Sequence, residues 1–250
     1  MDSLLAASTS NHPNTTKNPF TAQPIYGFFS LLLLVVIFIT MLPHYFKLAN
    51  DPANVPISYV VHGVVYLAWF VVFAIQSNLV VLKKTAIHKR LGYCSLVLLA
   101  ALIISGLQIL YSAMSAYDPN WDAGYLYARI NLIWGVLHTF VCFIILCGLG
   151  LFYRKQLHLH KRFMLMAALT MIPASITRIA FLGIIPINGT VLTLLTTYIL
   201  WLTPLVIDRL KFNAVHPVFK WGVPIYFVTQ LFCIGFMPTT GLGRAIAFPF

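Results

Sequence analysis

The sequence predicts an all-α, polytopic membrane protein of about seven transmembrane helices, with a four-helix core that carries histidines. Three observations carry this. Hydrophobic residues make up 60% of the 250-residue chain and charged residues only 8%, against roughly 25% charged in a soluble domain. Seven apolar stretches are each long enough to cross a bilayer core, which takes about 20 helical residues. The basic residues fall in alternate loops. A chain so poor in charge has too little polar surface to face water, so lipid is its expected solvent.

The predicted spans run, in order, over 25–46, 57–82, 91–114, 130–153, 163–184, 189–207 and 218–238. The segment before them, "MDSLLAASTSNHPNTTKNPFTAQP" at 1–24, is rich in Asn, Thr and Pro and reads as a disordered cytoplasmic tail. It lacks the basic start and apolar centre of a secretory signal, so the first span is expected to be an uncleaved anchor. Residues 25–250 form a single membrane domain, since the short connections leave no room for a soluble one. The runs do not alternate apolar and polar residues, which argues against a β-barrel.

Charge sets the expected orientation. Lys83, Lys84, Lys89 and Arg90 follow the second span, Arg154, Lys155, Lys161 and Arg162 the fourth, and Arg209, Lys211 and Lys220 the sixth. Asp51, Asp118 and Asp122 lie in the opposite loops. The positive-inside rule then puts the N-terminus in the cytoplasm and the C-terminus outside, with the bacterial inner membrane as the expected location. The net charge of +11 is read as a topology signal and not as a nucleic-acid surface; the basic loops suit anionic lipid headgroups. The four cysteines, Cys94, Cys142, Cys147 and Cys233, lie within spans without a Cys-x-x-Cys pair, so neither a disulfide framework nor a zinc ribbon is expected. "NGT" at 188–190 is a glycosylation sequon only in a host that glycosylates.

The triplet His-Lys-Arg occurs twice, at 88–90 and 160–162. Each copy follows a span that holds one histidine of its own, His62 before His88 and His138 before His160. The stretches 57–114 and 130–184 therefore read as a tandem two-helix repeat. Helical spacing aligns His62 with Tyr66, Trp69, Phe73 and Gln76, and His138 with Asn131, Trp134 and Cys142. It aligns His88 with Gly92, Ser95, Leu99 and Gly106, and His160 with Met164, Ala167, Met171, Ala174 and Arg178. Small residues on these faces let helices approach or leave room for a flat ligand.

One histidine on each of four helices, at two depths, is what two bis-imidazole sites require, and haem iron takes axial imidazoles in this way. His62, His138, His88, His160 and Arg178 are the candidate cofactor-binding residues, the histidines as ligands to haem iron. For His88 and His160 the competing reading is an interfacial residue beside two cations. For His62 and His138 it is a neutral ring hydrogen-bonded across helices, to Asn131 or Gln76. Arg178 is read either as snorkelling to outer headgroups or as the partner of an anion such as a haem propionate. Lys89, Arg90, Lys161 and Arg162 are expected to hold the helix ends at the anionic surface while His88 and His160 turn inward. Pro173 is expected to kink the fifth span. His12, His44, His158 and His216 fall outside the pattern and read as tail or loop residues.

At these residues the chain resembles a large group of predicted bacterial membrane proteins classed under a domain of unknown function. Its members carry a helix with His and a later Gln, then H-R-x-L-G, a second His helix, H-R-R-W-M, and a helix ending in T-x-R. Here these read as His62 with Gln76, "HKRLG" at 88–92, "WGVLH" ending at His138, "HKRFM" at 160–164 and "TRI" at 177–179. The resemblance runs from His62 to Pro186, with Lys for Arg in both triplets and Phe163 for the family's Trp. That family's activity is not established, so the resemblance implies fold and topology. The arrangement is also similar to the ascorbate-linked transmembrane di-haem b-type cytochromes, by analogy of histidine count and order. That similarity implies pairing His62 with His138 and His88 with His160.

Three function classes follow. The first is a haem b-binding electron carrier, or a reductase of quinone, iron or another small acceptor, with a quinone or redox protein as partner. The second is a non-catalytic factor that handles haem or metal or assembles an oxidase. The third is a small-molecule or proton-coupled transporter. No Asp or Glu falls within the predicted spans to serve the third as a carboxylate proton partner. There are no H-x-x-x-H clusters for a di-iron hydroxylase, no phosphate loop and no Ser-His-Asp set.

Overall fold

The structure is a computed structural model, and it describes residues 24–180, 182 and 186–250. The tail expected at 1–24 lies outside the described residues except for Pro24. Among the described residues the chain is helical, with no strand. In order come α1 (Ile25–Asn50), α2 (Ile57–Val81), α3 (Thr85–Met114), α4 (Ala123–Phe152), α5 (Leu157–Ala180), α6 (Gly189–Phe212), α7 (Pro217–Leu231) and α8 (Gly241–Ala247). A π turn at Phe232–Phe236 and a 3-10 turn at Met237–Thr239 prolong α7. Seven helices are long and apolar enough to cross a membrane, the seventh running Pro217–Thr239. The protein is an all-α, multi-pass membrane protein.

The helix ends follow from local chemistry. Asp122 starts α4 by accepting a hydrogen bond from the Tyr125 N–H at 2.9 Å, and Asn188 starts α6 by accepting from the Thr190 N–H at 3.0 Å, satisfying backbone donors that have no partner within the helix. α2 ends in a Schellman turn: the Lys84 N–H donates to the Leu79 carbonyl at 2.8 Å and the Lys83 N–H to the Val80 carbonyl at 3.1 Å. The residue that must turn left-handed there is Lys83, with φ 58°. Glycine usually takes this position because it has no Cβ to clash.

Burial identifies the centre of the bundle. In α5, 67% of the most apolar window is buried, against 22–39% in the other six spans. α5 packs against α1, α4, α6 and α7, while α2 packs against α1 and α3. The core thus extends beyond the four histidine-bearing helices to α1, through Phe29, Leu33, Ile37 and Met41. α3 lies at the rim, with Tyr93, Val97 and Ile104 exposed on its outer side.

α5 continues as helix through Pro173. Proline has no N–H, so the carbonyl of Leu169, one turn earlier, loses its usual partner. Trp201 of α6 supplies one, its indole N–H donating to the Leu169 oxygen at 3.3 Å. Trp201 is itself fully buried and stacked on Tyr226 of α7, ring centroids 3.8 Å apart.

Two expectations about charge are corrected. α6 runs on to Phe212, which brings Asp208 inside a helix that the sequence ended at 207. Arg162 is not a headgroup anchor. It is 0% exposed and paired with Asp208, Nη2 to Oδ1 at 3.3 Å. A membrane interior has few ways to accommodate a charge, and pairing with an opposite charge on the next helix is one of them. The transporter reading therefore does have a buried carboxylate within a span. Two histidines read as tail or loop residues lie in helices, His44 in α1 and His158 in α5; His216 stays in the loop, where it caps α7 by accepting from the Val218 N–H at 3.2 Å.

Candidate functional site: a paired-histidine cavity

The two HKR copies fold alike where they meet the preceding helix. Nδ1 of His88 donates to the carbonyl of Gln76, twelve residues back, at 3.2 Å. Nδ1 of His160 donates to the carbonyl of Gly150, ten residues back, at 2.7 Å. A carbonyl oxygen can only accept, so in both rings the proton sits on Nδ1. A neutral imidazole held in this way has its lone pair on Nε2. The backbone thus fixes the tautomer of both histidines, which is how protein groups commonly orient a ligating imidazole.

The rings stand together, centroids 6.3 Å apart and planes at 82°. They border a cavity of about 490 Å³ at the basic-loop end of the bundle, within the range of about 300–1,000 Å³ usual for small-ligand sites. Phe73, Val80, Leu151 and Met164 give it apolar walls, and Lys83 and Lys161 also line it. A Cβ on Gly92 would lie 3.6 Å from the Gln76 side-chain nitrogen, so the glycine keeps that wall open. The Gln76 Oε1 is buried without a hydrogen-bond partner. Gly150 permits the close approach of α4 and α5 beneath His160, since a Cβ there would meet the Met164 sulfur at 2.6 Å.

His88 is half-buried while its neighbours Lys89 and Arg90 are exposed, the inward turn expected for the first triplet. In the second triplet His160 also turns inward, but the expected anchors do so too: Arg162 is buried on another face of α5, and Lys161 is half-buried on the cavity lining.

The outer histidines are divided between two neighbours. Nδ1 of His62 lies 3.1 Å from the Ser105 hydroxyl of α3. That hydroxyl gives its own hydrogen to the Leu102 carbonyl at 3.2 Å, so the imidazole is the donor. Nε2 of His138 lies 2.9 Å from the Thr229 hydroxyl of α7. Thr229 donates to the Ile225 carbonyl at 2.8 Å, so His138 also donates, and its Nδ1 is left buried without a partner. Nearby, the Tyr66 hydroxyl donates to the Met171 carbonyl at 2.8 Å and lies 2.7 Å from the Ser175 hydroxyl. Arg178 donates to the Ala174 carbonyl of its own helix at 2.6 Å.

A third polar group escaped sequence reasoning. Asp208 accepts from Arg162 and, at 3.2 Å, from the His216 backbone N–H. The Arg162 Nη1 also donates to the His158 carbonyl at 2.9 Å, and the rings of His158 and His216 meet at 5.6 Å. The available signal was that Asp208 is the one acid among the three basic loops of the sequence. His216 stands just outside the spans. Burial, with Arg162, His158 and Lys161 nearby, pushes its pKa down to about 4.

Among the described residues, no cluster of three or more His, Cys, Asp or Glu side chains could hold a metal ion. A bare zinc ion takes three or four protein ligands. Two imidazoles suffice for a metal whose remaining ligands come with it, and haem iron is such a metal. The paired donors and the apolar walls fit such a group at the inner cavity.

Fold and site together define a seven-helix integral membrane protein with a histidine-paired cavity at one end. No family model, no curated protein and no solved structure matches the chain.

Proposed function

We propose that the cavity lined by α1 to α5 binds haem b, that His88 and His160 would hold its iron, and that the protein is a membrane electron carrier or a reductase of a small acceptor such as a quinone. The observation that carries this reading is the matched pair of backbone-locked imidazoles, both with Nε2 as the lone-pair nitrogen. When bound, haem would supply one-electron redox chemistry. The chain's own residues do the rest. Gln76 and Gly150 hold the rings through their carbonyls, Gly92 leaves space, and Phe73 and Met164 exclude water. By the positive-inside rule the cavity opens toward the cytoplasm, so reductant would arrive from that side.

The outer histidines play a smaller part in this reading. His62 and His138 each spend one N–H on a hydroxyl of a different helix, which suits neutral rings that tie α2 to α3 and α4 to α7. This retains half of the four-histidine similarity to the di-haem cytochromes, the pairing of His88 with His160.

The test is a visible spectrum of the purified full-length chain, oxidised and reduced, after expression with ample haem. A low-spin bis-imidazole spectrum in the native protein, lost in His88→Ala and in His160→Ala but kept in His62→Ala, is the expected result. A spectrum that survives both inner substitutions would overturn the assignment.

A further inference from the structure

We infer that Lys83 and Lys161 form a two-cation rim that takes the carboxylates of the ligand in the inner cavity. The inference rests on the haem reading above and adds to it the ligand's orientation: acid groups toward the basic-loop end and the apolar macrocycle edge toward Phe73 and Met164.

Three observations lead there. First, both lysines line the same cavity as the two histidines. Lone pairs from His88 and His160 cannot hold an anion, so the chemistry of the cavity divides into metal-directed nitrogens and acid-directed ammonium groups. Second, Lys83 sits at the left-handed position of the Schellman turn, φ 58°, where glycine would be unstrained. Strain of this kind in a non-glycine residue points to use of its side chain, and here the residue borders the cavity. Third, Lys161 lies between His160 and the buried Arg162, its ammonium 4.7 Å above the ring of Tyr26. That contact holds a second cation on the cavity lining, beside Tyr26, which lines it too. The two lysines come from the two repeat halves, one from the turn after α2 and one from the second turn of α5.

The experiment uses the full chain in nanodiscs of neutral lipid, titrated with three probes: haemin, haemin dimethyl ester and metal-free protoporphyrin IX. The double variant Lys83→Gln/Lys161→Gln is expected to bind haemin and protoporphyrin IX roughly tenfold or more weakly, as loss of charge-assisted contacts implies. Its affinity for the dimethyl ester, and the bis-imidazole spectrum of that complex, should match the native protein's. His88→Ala/His160→Ala should show the converse: no bis-imidazole spectrum, with binding of the metal-free diacid retained. If the lysine variant binds all three probes as the native chain does, the rim is wrong while the haem reading stands. If the native chain binds no probe, the haem reading fails and the rim with it.

Discussion

Arg162 of α5 and Asp208 of α6 are joined as a buried ion pair, 0% and 2% exposed, at the end of the bundle where the basic loops gather. Charges in such a place are held by one another, so removing one strands the other. Arg162→Gln or Asp208→Asn should cost roughly 3–5 kcal/mol, the usual penalty for breaking a buried pair. The combined Arg162→Met/Asp208→Leu should recover much of that loss. Thermal unfolding in a single detergent, with all four proteins compared, checks both statements.

His216 makes the same end of the bundle sensitive to acid. Its Nδ1 caps α7 by accepting from the Val218 N–H, which a protonated ring cannot do. Its folded pKa, about 4, lies below the ordinary 6.5. The stability it contributes is therefore full above pH 6.5 and is lost as pH falls toward 4. His216→Asn keeps a capping oxygen without the titration. The native protein should lose thermal stability between pH 6.5 and 4 more steeply than this variant; parallel curves would remove His216 as the cause.

Lys83 offers a test of backbone strain apart from ligand binding. With φ 58° it should gain from a residue without a Cβ, so Lys83→Gly is expected to stabilise the ligand-free protein by about 1 kcal/mol. Lys83→Val, β-branched and intolerant of that conformation, should destabilise it. A melting temperature that ranks Val above Gly would contradict the turn geometry.

Orientation is tested by reporter fusions. Those ending after residue 120 should report the outer side and those after residue 156 the cytoplasm, since the loop at 153–156 carries Arg154 and Lys155 and the loop at 115–122 carries Asp118 and Asp122. The reverse pattern would place the histidine cavity on the outer face and remove the argument for a cytoplasmic reductant.

The seven crossings were legible because an apolar run of bilayer length has few other uses. Their ends were less so. Hydropathy marks the part of a helix that meets lipid, whereas hydrogen bonding continues into the headgroup region. α3 therefore begins at Thr85 and not at 91, and α4 at Ala123 and not at 130. α8, seven residues long, is too short to register against the apolar chain around it. The repeated triplet marked His88 and His160 as a pair, and the structure brings their rings together. What fixes those rings is backbone: a carbonyl has no letter in the sequence, so the locks at Gln76 and Gly150 could not be read. Thr229 is 91 residues from His138, and Asp208 is 46 from Arg162. Contacts so distant along the chain appear only once the helices are packed.

The indole of Trp201, set on the Leu169 carbonyl below Pro173, bears on how the protein could move. A proline midway along the central helix is the natural place for a hinge, and here the freed carbonyl is held from the neighbouring helix. That converts the joint into a strut. Trp201→Phe should release it, and adding Pro173→Ala should restore rigidity by returning the missing N–H, a non-additivity readable by hydrogen exchange along α5. With α5, α6 and α7 braced together around this tryptophan, any opening that admits a bulky guest falls to the outlying stave, α3, which leans mainly on α2 and carries His88 with it.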